Sequence, residues 1–194
     1  MEGTNPVNKK LVAALSGGAA LLALTGCGGD GGNKKLDDWA KTVCDQMQPQ
    51  VKKIQDANHL IAGAQSEEDS KKVQQTDSAA FQANSDAYKA LATGVQNAGA
   101  PPVKDGESNQ QNAVKALNGL SGAYADLKKR IDGLDTGDKA KFGDELKKIS
   151  TDISKLGGQS DDALKKLQAG DVGKAMSKQS GCQKTSVSPS ESKK

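Results

Sequence analysis

The stretch VKALNGLSGAYADLKKRIDGL, residues 114–134, decides the fold. Its apolar positions Val114, Leu117, Leu120 (or Ser121), Tyr124, Leu127, Ile131 and Leu134 advance by threes and fours, which lays them along one face of an α-helix. Gly119 and Gly122 sit inside the pattern, each costing about 1 kcal/mol against alanine. With Ala116 and Ala123 they predict a flat face on this helix, open to a close neighbour or to a ligand approaching the backbone.

The same period extends to both sides. Upstream, Leu36, Ala40, Val43, Met47, Val51, Ile54 and Ile61 predict a helix over about 36–61, with a kink or break at Pro49 because proline removes an amide donor. Ser66-Glu67-Glu68-Asp69 reads as a capping arrangement starting a second helix at Ser66. That helix carries Val73, Ala80, Phe81, Tyr88, Leu91 and Val95, and Pro101-Pro102 end it. Downstream, Phe142, Leu146, Ile149, Ile153 and Leu156 form another stripe, with Gly157-Gly158 as its expected end. Ser160-Asp161-Asp162 then caps a shorter helix with Leu164 and Leu167, and a last turn around Val172–Met176 leads to Cys182. No run alternates as a strand would. Four main stripes with short connections predict an all-α, antiparallel up-and-down four-helix bundle with a short C-terminal helical extension.

The chain begins differently. Lys9 and Lys10 precede an apolar run, Leu11–Leu24, too short for a bilayer span of about 20 residues but suited to a signal-peptide core. Leu24-Thr25-Gly26-Cys27 follows and resembles the lipobox of bacterial lipoproteins; the alternative is an ordinary signal peptide with an accidental cysteine. The resemblance implies that residues 1–26 are removed and that the Cys27 thiol carries a diacylglycerol. Two acyl chains give stable anchoring where one does not. Residues 27–34, rich in glycine, then read as a flexible tether, residues 35–182 as the helical domain and residues 183–194 as a polar, disordered tail. The expected address is the extracytoplasmic face of the cell membrane.

With Cys27 given to lipid, Cys44 and Cys182 remain, and an even pair in an oxidising compartment reads as a disulfide, the alternative being two free buried thiols. The absence of a C-x-x-C spacing argues against redox catalysis. The formal net charge of +3 is nearly balanced and interspersed. Its one compact basic run, Lys128-Lys129-Arg130, reads as a solvated helix face, so nucleic acid is not an expected partner. Aromatic residues make up 3% of the chain, leaving a core of Leu, Val, Ile and Ala.

Catalytic signatures are missing. His59 is the only histidine, so the usual zinc ligand sets are not available, and no Glu stands three residues before it as a di-iron bundle would require. Asp37-Asp38 and Asp161-Asp162 read as helix-start acids rather than as catalytic pairs. Trp39 reads as core. No metal, no cofactor and no enzymatic activity is expected.

Leu24-Thr25-Gly26-Cys27, Trp39 five residues before Cys44, and Ser180-Gly181-Cys182 together resemble the small secreted lipoproteins of actinobacteria. That likeness implies export, anchoring and a helical domain, and carries over no catalytic residue. Two roles follow as expectations. The first is a binding or cell-envelope interaction module held to the membrane through Cys27. The second is a carrier of an apolar small molecule or lipid, which a cavity between the third and fourth helices lined by Leu120, Tyr124, Leu127 and Leu146 would favour; with Gly119 and Ala123 these residues form a ligand or packing face.

Overall fold

Six helices follow one another through residues 30–183, the part of the chain that the computed structural model describes. They are α1 (Asp30–Ala64), α2 (Ser70–Asn97), α3 (Gly106–Asp132), α4 (Lys139–Leu167), α5 (Gly170–Ser177) and α6 (Ser180–Gln183). The short connections reverse the chain each time, and the fold is an antiparallel helical bundle with no strand among the described residues. The signal segment, the lipobox with Cys27, and residues 184–194 lie outside the described residues.

Two apolar clusters fill the bundle, one at each end. At the first end the start of α1 (Leu36, Trp39, Ala40, Val43) meets the end of α2 (Leu91, Val95), the start of α3 (Ala113, Leu117), Leu164 and Leu167 of α4, and Met176 of α5. At the other, Ala64, Val73 and Phe81 meet Tyr124, Leu127, Ile131, Phe142 and Ile149. Tyr88 packs against both clusters and stacks on Tyr124, with ring centroids 5.6 Å apart.

Polar side chains fix the register by finishing helix ends that backbone pairing leaves open. Gln74 Nε2 donates to the carbonyls of Ile131 and Leu134, each at 2.9 Å, closing the end of α3. Gln110 Nε2 does the same for Val95 near the end of α2, at 3.0 Å. Trp39 is buried as expected, and its Nε1 donates to the Gly99 carbonyl at 2.8 Å, tying α1 to the α2–α3 connection. Gly106 opens α3 against Pro101, whose carbonyl oxygen would collide with any Cβ there.

Cys44 and Cys182 form a disulfide across 138 residues, with Cα atoms 5.0 Å apart. It staples α6 to α1 at the first end. Gly181 makes the approach possible, since a Cβ on it would lie 2.7 Å from the Cys44 carbonyl oxygen.

Four boundaries differ from the sequence expectation. α1 begins at Asp30, so residues 30–34 are helix rather than tether, and no proline interrupts them. α1 also runs unbroken through Pro49, because packing of α1 on α2 along both sides of the proline outweighs one missing amide donor. α2 starts at Ser70, since Asp69 rather than Ser66 caps it, accepting from the amides of Lys71 and Lys72 at 2.9 and 3.3 Å. α4 continues through Gly157-Gly158 to Leu167. Two glycines cost about 2 kcal/mol, less than is gained by docking Phe142 and Ile149 at one end of that helix and Leu164 and Leu167 at the other.

Candidate functional site

The bundle is not closed all the way round. α2 packs closely on α1 and α3, and α3 on α4, but α1 and α4 approach one another much less closely, meeting through side chains at the two ends. That seam opens into a cleft of about 550 Å³ at the end of the bundle away from the disulfide. The volume falls within the range of small-molecule sites, about 300–1,000 Å³.

Helical spacing builds its walls. Ile61 and Ala64 come from the last turns of α1. Val73, Asp77 and Phe81, each four apart, come from one face of α2. Phe142, Leu146, Ile149 and Ile153 step by four, three and four along α4 and face them. Phe81 is fully buried, and its ring centroid lies 6.3 Å from that of Tyr124, which supports it from α3. Glu67 and Glu68 on the α1–α2 connection, with Lys139 and Lys147 on α4, are the other ionisable residues of the lining.

Asp77 is the anomaly in this lining. It is 6% exposed, and its Oδ1 is buried without a hydrogen-bond partner. Burial pushes its pKa up to about 6, no neighbouring cation opposing the shift. Burial also raises the phenols, Tyr88 to about 12, where the neighbouring Tyr124 adds to the effect, and Tyr124 itself above its ordinary value. Neither tyrosine ionises near neutral pH.

The α3 face expected to bind a ligand or to pack contributes Leu120, Tyr124 and Leu127 to the bundle interior. Ala123 is half-buried and Gly119 is exposed. A Cβ on Gly119 or Gly122 would meet nothing within 4 Å, so no neighbour approaches there. The α3–α4 seam is filled by Leu127, Ile131, Phe142 and Ile149. Leu146 alone of that set lines the cleft. Asp77 was overlooked although the sequence carries its signal: it stands four after Val73 and four before Phe81, a carboxylate where the stripe demands an apolar side chain.

His59 is exposed, and among the described residues no group of three His, Cys, Asp or Glu side chains could hold a metal ion. No helix among them is long and apolar enough to cross a membrane. No protein-family model matches the chain, and comparison with curated proteins and with solved structures gave no match.

Proposed function

We propose that the protein is a lipid-anchored, extracytoplasmic binding protein that carries a small apolar molecule in the cleft between α1–α2 and α4. The anchoring half rests on Lys9-Lys10, the apolar run and Leu24-Thr25-Gly26-Cys27. The carrier half rests on one observation, an opening of about 550 Å³ between α1–α2 and α4 that Ile61, Val73, Phe81, Phe142, Leu146 and Ile153 line beneath a polar rim. An interaction module would need an exposed apolar patch. Among the described residues Leu60, at 52% exposure, is the one large apolar side chain that stands out, so the carrier has the better support.

Gly143 supplies the test. It lines the cleft, and a Cβ built on it meets nothing within 4 Å. Gly143→Leu should therefore put a side chain into the opening while favouring the helix by about 0.5–1 kcal/mol. The neutral apolar fluorophore N-phenyl-1-naphthylamine should bind the unaltered protein with a Kd in the tens of micromolar, about −6 kcal/mol. The variant should bind it at least ten-fold more weakly. Equal binding by both proteins, or none by either, would overturn the carrier assignment.

A further inference from the structure

An apolar carrier needs walls, and Asp77 is not one. A leucine at that position would complete the stripe from Val73 to Phe81 and remove the cost of taking a carboxyl out of water. No basic side chain compensates it from within the protein. Four charged groups besides Asp77 line the cleft. Lys147 is engaged with Asp144 at 3.3 Å, and Lys139 is exposed at the start of α4. Glu67 and Glu68 on the α1–α2 connection add negative charge to the lining. α3 supports this end with Leu127 and Ile131, which are apolar. A buried carboxylate oxygen with no partner, on a residue that lines a cleft beside Val73, Phe81, Phe142 and Leu146, is half of an ion pair.

Resting on the carrier assignment of the same cleft, we propose that its ligand is an ammonium amphiphile, an alkyl- or arylalkylamine whose cationic nitrogen pairs with Asp77 Oδ1. The apolar body lies among Phe142, Leu146 and Ile153, and the ring of Phe81 stands next to the cation. The charge-assisted hydrogen bond so formed satisfies the one lining acceptor that the protein leaves open. A neutral alcohol of the same shape offers only an uncharged hydrogen bond, roughly half as strong, and a carboxylate of the same shape is repelled. Binding favours ionised Asp77, so below pH 6 the cation displaces the carboxyl proton into solvent.

The test uses the full chain in phosphatidylcholine nanodiscs, with empty nanodiscs subtracted, and titrates three compounds of one shape calorimetrically: 4-phenylbutylamine, 4-phenylbutanol and 4-phenylbutyrate. At pH 7.5 the amine should bind at least ten-fold more tightly than the alcohol, and the butyrate more weakly than either. Amine affinity should fall about ten-fold between pH 7.5 and pH 5, with one proton released at the lower pH. Asp77→Asn and Asp77→Leu should each erase the amine's advantage while the alcohol still binds. If amine and alcohol bind alike, or if both variants retain the preference, the ammonium pairing is wrong and the apolar carrier stands. If none of the three binds, both assignments fall.

Discussion

Asp77→Asn should stabilise the protein at neutral pH, although it replaces a charged residue by a neutral one of the same shape. The carboxyl has a pKa of about 6 in the folded protein against 3.8 as its ordinary value, so the native state holds the proton longer than the unfolded chain does. Stability from this group is complete below about pH 3.8 and is lost as pH rises through 6. At 1.36 kcal/mol for each pH unit of separation, the total loss is about 3 kcal/mol, of which about 2 kcal/mol falls between pH 4.5 and pH 7.5. Asparagine cannot ionise and escapes that loss. Urea unfolding followed by Trp39 fluorescence at the two pH values isolates the effect, because every other titrating group cancels in the difference between the proteins. The gap in favour of Asp77→Asn should widen by about 2 kcal/mol from pH 4.5 to pH 7.5. A gap that does not change with pH, or a variant less stable than its parent at pH 7.5, would refute the claim that this carboxyl is buried without a partner.

The disulfide closes a loop of 138 residues, for which chain entropy gives about 5 kcal/mol; a Cys44→Ala, Cys182→Ala pair should lose about 2–5 kcal/mol in urea midpoints converted to free energy. Gly181→Ala should cost about 1–3 kcal/mol by forcing α6 away from the Cys44 carbonyl, an effect that a thermal melt would show. Cys27→Ser should release the protein from the membrane fraction of its producer or leave its leader uncut. Unchanged processing and anchoring would show that Cys27 carries no lipid.

Periodicity made the helices legible, and it left the position of the cleft open. The stripe from Leu117 to Ile131 was readable because a buried helix face repeats every three or four residues whatever it packs against. For the same reason the stripe could not say which neighbour it met. Leu120, Tyr124 and Leu127 look identical in sequence whether they wall a cavity or fill a core. Only the three-dimensional arrangement, with α4 held more closely by α3 than by α1, turns Val73 and Leu146 into opposite walls. Local breakers misled in proportion to their small energies: Pro49 and Gly157-Gly158 each weaken a helix by a few kcal/mol at most, and long docked helices absorb that. Asp77 was legible in principle, as a charge on an apolar stripe.

α1 is 35 residues long, which at 1.5 Å per residue is about 50 Å from Asp30 to Ala64. The disulfide, α5 and α6 gather towards the end where α1 begins, and the cleft opens where α1 finishes. Were Cys27 held in the membrane, as proposed, and α1 to rise from it as a mast, the mouth would stand tens of ångströms out from the lipid headgroups. A cleft so placed would exchange a cargo with the aqueous side rather than with the leaflet that holds the anchor.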